Sequence, residues 1–294
     1  MLRQKPRLQS RRGTRRWRPA NSVRVCTPAA ARRLAASTAS STLTGSRRLG
    51  DLDRQSALTA RTAGIAALSV SLVVGLTSNV LFLAAFQFRL DWFREPTRVL
   101  GAGATSAELL RWASVLDLIG YYLATAVLAY VLWQWLRPRN RLIADLSAMA
   151  ALGYVLAGGI GAAVLAMVGP MLMHSYPEAA AENQALIAAQ FAVVLELVWR
   201  AIWQLLDGIL LAAWWLGIGL LLRADLPGLS RLSLALAAVA VVGVVANIIG
   251  LSLVRDVMLG ITFALWTAWW IWLMVLLLRS RPPASAHLKP RPFA

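Results

Sequence analysis

One cysteine and two histidines in 294 residues remove several chemistries at the outset. Cys26 alone supports no intrachain disulfide, no thiolate metal site and no Cys-x-x-Cys redox pair. His174 and His287 cannot assemble a His-Glu-x-x-His zinc site. Charge is scarce too: 15% of residues are charged against 59% hydrophobic. That balance is too apolar for a soluble domain of this length.

What the chain has instead is six long apolar runs, over residues 63–86, 113–136, 146–170, 203–222, 234–254 and 257–278. A helix rising 1.5 Å per residue needs about 20 apolar residues to cross a bilayer, and all six meet that length. The expected fold is all-α: a polytopic integral membrane bundle of six transmembrane helices over residues 58–280. A disordered basic tail over 1–57 and a disordered tail over 281–294 are expected to flank it.

The net charge of +17 is concentrated at one end. Residues 1–61 hold 15 of the 30 Lys and Arg, with only Asp51 and Asp53 against them. This basicity says nothing about what the bundle binds. An anionic-lipid anchor, a transit peptide and a nucleic-acid arm are weaker readings of the tail than a plain disordered extension, and no nucleic-acid partner is expected. Lys and Arg collect in cytoplasmic segments. With both termini inside, 24 of them fall on the inner side and 6 on the outer. Both termini are therefore expected in the cytoplasm, and the location is a cell membrane, most simply a bacterial plasma membrane.

The stretch Ser175-Tyr-Pro-Glu178 reads as a capping box, with Ser175 as N-cap and Glu178 at the third helical position. It predicts an interfacial helix over about 176–202 that continues or bends into the fourth span. A seventh span over 186–206 is rejected, because Glu196 and Arg200 at its centre would each cost roughly 2.5–3.5 kcal/mol.

The polar residues of the spans are one-sided. Asn79, Asp117, Asp207 and Asn247 all fall in the outer halves, and the inner halves are nearly pure Leu, Val, Ala and Trp. At 100° per residue, Glu196, Arg200, Trp203, Gln204 and Asp207 share one stripe, and Asp117 and Tyr121 lie one turn apart. Intramembrane ionisable groups face the bundle interior or a wet cavity and pair there. The candidate site is therefore an outward-facing polar pocket of Asn79, Asp117, Tyr121, Arg200, Gln204, Asp207 and Asn247. A structural reading stands equally open. The carboxylates complement helix dipoles, the asparagines bond helix to helix, and Arg200 snorkels to the interface.

Ala157, Gly158, Gly159, Gly161, Ala162 and Ala163 predict a flat face on the third span for close helix approach. Trp133, Trp135, Trp266, Trp269, Trp270 and Trp272 suggest interfacial anchoring and packing. Gly101-Ala-Gly103 follows no strand and lacks a P-loop lysine, so it reads as an ordinary loop. Two stretches, Ala107 to Tyr122 and Leu206 to Gly217, resemble prokaryotic six-span membrane proteins catalogued as domain of unknown function 4386. The resemblance covers roughly 58–280, implies a six-helix fold and carries no catalytic role.

Function is ranked on these residues. Binding or transport of a small molecule through the polar pocket comes first. An accessory or sensor subunit that packs against a membrane partner comes second. A membrane-embedded enzyme comes third, since the spans hold no Gly-x-Gly-Asp and no Gly-x-Ser nucleophile with a membrane histidine. No catalytic residue, metal or cofactor is expected. The lipid bilayer is the one firm partner.

Overall fold

The structure is a computed structural model that describes residues 55, 58–93 and 95–279. The calls on the basic tail and on residues 281–294 lie outside the described residues, apart from Gln55. Among the described residues six helices are long and apolar enough to cross a membrane. They are α1 (Leu58–Ala85), α2 (Ala104–Leu136), α3 (Arg141–Glu178), α4 (Ala181–Leu222), α5 (Pro227–Ile248) and α6 (Ser252–Arg279). The protein is a multi-pass helical bundle in contact with lipid.

Local chemistry sets several of the helix ends. Asn140 caps α3 by accepting a hydrogen bond from the Ile143 amide at 3.1 Å. Pro227 opens α5 in the first turn, where its missing N–H costs nothing. Arg279 closes α6 in the last turn, where a cation complements the dipole. Gly103 and Gly250 take φ of +86° and +78° just before α2 and α6, a conformation that favours glycine. At one end of the bundle Arg61 donates to the carbonyls of Leu277 and Leu278, tying the start of α1 to the end of α6. Arg139 pairs with Asp225 at 2.6 Å, joining the α2–α3 and α4–α5 connections.

Burial on α3 shows how sequence becomes packing. Gly158, Gly159, Gly161 and Ala162 are buried, whereas Leu142, Met149, Leu156, Ile160, Met167 and Met171 are each more than half exposed. Small residues let neighbouring helices approach, and the large apolar ones are left facing outward, where lipid lies. Ala163, expected on the small face, is exposed instead.

The α3–α4 junction differs from the capping-box reading. Helix α3 runs to Glu178, and the Ser175 hydroxyl donates back to the Met171 carbonyl at 3.0 Å. Serine makes that bond to the residue four before it as readily as it caps, so the same four residues fit the end of a helix. The chain turns at Ala179–Ala180, and α4 starts at Ala181 without a side-chain cap. The segment expected as an interfacial helix over 176–202 is thus divided between the last turn of α3 and the first half of an unbroken α4. At 1.5 Å per residue, α3 and α4 are about 57 and 63 Å long, well beyond a hydrocarbon core of about 30 Å.

Two apolar cores follow. One holds Trp214, Trp215, Trp269 and Trp270, all almost fully buried, with Leu128, Leu136 and Leu236. Trp266 belongs to it as well, so Trp266, Trp269 and Trp270 pack inside the bundle and do not anchor at its boundary; Trp272 is exposed. The second core joins Phe82, Phe86, Trp92, Val99 and Leu100 of α1 and the α1–α2 connection to Leu172, Met173, Phe191 and Leu195 of the α3–α4 hairpin.

Three helices widen into π-helical segments, at Ser71–Gly75 in α1, Leu118–Leu123 in α2 and Leu197–Leu206 in α4. Hydrogen bonds from i to i+5 make each turn wider than in an α-helix, and such segments favour functional sites. The first two meet at Gly75 and Gly120, where the backbones are in direct contact distance. The Ser78 hydroxyl reinforces this crossing by donating to the Ala113 carbonyl at 2.8 Å.

Candidate functional site

Where the two cores meet, the bundle forms a partly open cavity of about 820 Å³. Its wall draws Phe82 and Trp203 from around the second core and Tyr121, Tyr122, Tyr154 and Trp266 from the first. The π-helical segments of α2 and α4 supply or flank several of its polar side chains. Tyr121 and Tyr122 are consecutive residues of the α2 segment, with Asp117 just before it; Gln204 lies in the α4 segment, with Asp207 just after it. The cavity reaches the α1–α2 connection at Asp91 and the start of α6 at Arg255 and Asp256.

Of the seven sequence-predicted residues, Asn79, Asp117, Tyr121, Gln204 and Asp207 line this one cavity. Asn79 donates to the Tyr121 hydroxyl at 2.7 Å, so it also bonds α1 to α2. Arg200 and Asn247 are not in the wall. The Arg200 guanidinium pairs with Glu196 at 3.1 Å, with side chains 45% and 51% exposed. Asn247 donates to the Arg200 backbone carbonyl at 3.0 Å, tying α5 to the π-helical stretch of α4. The Arg200 side chain stays with Glu196 on the exposed side of α4, outside the wall that Trp203, Gln204 and Asp207 share. The Glu196–Arg200 pair is therefore a surface contact of small energetic weight.

Arg200→Lys should consequently change stability by less than about 0.5 kcal/mol, as for other surface substitutions. Thermal unfolding in detergent checks this, and a loss of several degrees would return Arg200 to the site.

The electrostatics of the wall divide into answered and unanswered charges. Arg255, 8% exposed, donates from Nε and Nη2 to Asp256 Oδ1 at 3.0 and 2.9 Å. Asp91 meets Arg89 at 3.3 Å and Arg98 at 3.6 Å. The hydrogen bond from Arg89 holds its carboxyl below the usual carboxylate range, so Asp91 is charged at neutral pH. Deeper in, the Tyr122 hydroxyl donates to Asp207 Oδ2 at 3.2 Å, and Asp207 Oδ1 has no partner among the described residues. Both amide atoms of Gln204 and the Trp266 indole nitrogen are buried in the same condition. No hydrogen bond or ion pair from a described residue reaches the Asp117 carboxylate.

Aromatic rings frame these groups. Tyr121 lies edge-on to Trp266 at 5.6 Å and to Phe263 at 6.2 Å, and Tyr122 is 4.9 Å from Tyr154. Gly158 of α3 fits directly beneath the Tyr122 ring and the Asp207 carboxylate, with no room for a Cβ, and its carbonyl accepts the Trp203 indole N–H at 3.2 Å. The small face of α3 thus supports the deep end of the cavity.

Sequence reasoning missed Tyr122, Tyr154, Trp266, Asp91 and the Arg255–Asp256 pair as parts of the wall. The adjacent Arg255 and Asp256 carried a readable signal, since two spans meet there with almost no connecting loop. The aromatic residues carried none, because an intramembrane tyrosine looks the same from sequence whether it packs or lines a cavity. Among the described residues no group of three or more His, Cys, Asp or Glu is placed to hold a metal ion. No family model, curated protein or solved structure matches the chain.

Proposed function

We propose that this membrane protein binds a small molecule inside its bundle, in the cavity walled by Asn79, Asp117, Tyr121, Gln204 and Asp207. The observation that carries the reading is the cavity itself. Helix interiors are close-packed, and voids much larger than a water are few. A space of about 820 Å³ lies within the range of ligand pockets. Apolar walls with a few converging polar groups are the usual make-up of such pockets.

Transport is the finer form of the proposal. The π-helical segments in α2 and α4 contribute residues to the cavity wall, and transporters interrupt their helices where they hold substrate. The distribution of Lys and Arg supports an orientation with both termini in the cytoplasm and the cavity mouth on the outer side, in a plasma membrane. Kinship with the six-span family that the two stretches resemble belongs to the same proposal. An accessory subunit that acts only by packing has no need of a cavity, which places that role second.

A thermal-shift screen of the protein in nanodiscs, against metabolites, ions and lipids, tests the reading. Saturating ligand at 100-fold Kd should stabilise the folded state by about 2.7 kcal/mol. Ala240→Phe, which enlarges a buried side chain of the cavity wall, should abolish the shift while the protein stays folded. A ligand that stabilises both forms equally acts elsewhere and counts against the cavity.

A further inference from the structure

Among the described residues four carboxylates line the cavity, those of Asp91, Asp117, Asp207 and Asp256, and Arg255 is the one basic residue in its wall. Two of the four are answered: Asp91 by Arg89 and Arg98, and Asp256 by Arg255. Asp117 and Asp207 have no basic partner among the described residues. Asp207 is 2% exposed, and its Oδ1 is unpartnered. Gln204 is 8% exposed and leaves its side-chain carbonyl unpartnered in the same wall. Both carboxylates line the same wall as Tyr122, whose hydroxyl donates to Asp207 Oδ2 at 3.2 Å.

Carboxylates inside a bundle pair with an opposite charge or with hydrogen-bond donors. Removing a carboxylate from water is costly unless a partner compensates it. The Gln204 amide nitrogen and the Trp266 indole nitrogen are unpartnered donors. The unpartnered groups able to carry charge, however, are acceptors, the two carboxylates, with the Gln204 amide oxygen beside them. They ask for N–H donors that carry positive charge. The rest of the wall suits the same species, because aromatic faces attract cations.

We propose that the ligand of this cavity is a protonated amine with an apolar, ring-sized body. Its ammonium lies between Asp117 and Asp207, within reach of the Gln204 carbonyl, and its body rests against Tyr121, Phe263 and Trp266. The inference rests on the reading of the cavity as a small-molecule site, and adds the charge and donor character of what enters it. An anion would meet two uncompensated carboxylates, and the one guanidinium is already occupied by Asp256.

The test is calorimetric titration of the full chain in nanodiscs of phosphatidylcholine and phosphatidylglycerol, which carry no primary amine in the headgroups used. The probes are 2-phenylethylammonium, its N-trimethyl analogue, 2-phenylethanol and phenylacetate. The primary ammonium should bind most tightly, the trimethyl analogue more weakly for want of N–H donors, and phenylacetate not at all. Asp117→Asn and Asp207→Asn should each weaken 2-phenylethylammonium about 10- to 100-fold, the worth of one charge-assisted hydrogen bond. Arg200→Lys should leave it unchanged. Tryptophan emission checks folding, and Asp117, the less buried of the two, keeps the test open if Asp207→Asn does not fold.

Phosphatidylethanolamine added to the disc separates two sources of the same chemistry. Competition assigns the amine to a lipid headgroup, and its absence assigns a water-soluble amine. The proposal is overturned if 2-phenylethylammonium binds no better than 2-phenylethanol, or binds both aspartate variants as it binds wild type. Binding of phenylacetate or 2-phenylethanol that Ala240→Phe abolishes would overturn the amine while keeping the small-molecule site. Failure of every probe, in the thermal-shift screen as in calorimetry, would remove both.

Discussion

Gly120→Ala should cost about 3 kcal/mol or more and lower the thermal midpoint in detergent far more than any surface change. A Cβ on Gly120 would stand 2.7 Å from the Gly75 Cα and 3.0 Å from the Val74 carbonyl carbon, and would press on the Gly75 amide nitrogen. These are backbone atoms, which no rotamer change can move aside. Membrane helices gain little from the hydrophobic effect between them, so close backbone approach supplies much of their attraction. Separating α1 from α2 here would also stretch the bond from Ser78 to the Ala113 carbonyl and the bond from Asn79 to the Tyr121 hydroxyl.

Gly101→Ala is the matched control. It adds the same methyl group where nothing lies within 4 Å, and should stay within about 0.5 kcal/mol of wild type. Equal midpoints for the two variants would mean that α1 and α2 do not cross at Gly75 and Gly120. A loss confined to Gly120→Ala would locate the crossing.

The second large effect has the opposite sign. Gln204→Leu should stabilise the ligand-free protein by about 1–2 kcal/mol, since both amide atoms are buried and find no partner among the described residues. Leucine is close to glutamine in volume and has no polar atom to leave unsatisfied. The same change should weaken any ligand whose donors use the Gln204 carbonyl. A variant that is more stable and less functional is what a binding site predicts, because sites keep groups that folding alone would discard. Destabilisation on Gln204→Leu would show that folding itself needs the amide, and would favour the purely structural account of the polar cluster.

Much of the candidate site was legible along the chain. Asn79, Asp117, Tyr121, Gln204 and Asp207 stand out because a polar side chain in a span has few inexpensive places to go. They share a cavity wall because their spans bring the same depth to the same half of the bundle. Arg200 was grouped with them by its place on a stripe of the fourth helix, and Asn247 by its depth in the fifth. Position along one helix does not say what a neighbouring helix covers: Arg200 pairs with Glu196 at the surface, and Asn247 donates to the Arg200 carbonyl.

The sequence by itself determined the class, the number of spans and the apolar surface offered to lipid. Each follows from the length and composition of single segments, which act before any segment meets another. The tertiary structure alone decided that α3 continues through Ser175 to Glu178, and that Trp266, Trp269 and Trp270 turn inward. It also decided that Arg255 answers Asp256 while no described cation pairs with Asp117 or Asp207. These outcomes depend on which side chains several helices bring to one place, and burial and pairing exist only once the helices have packed.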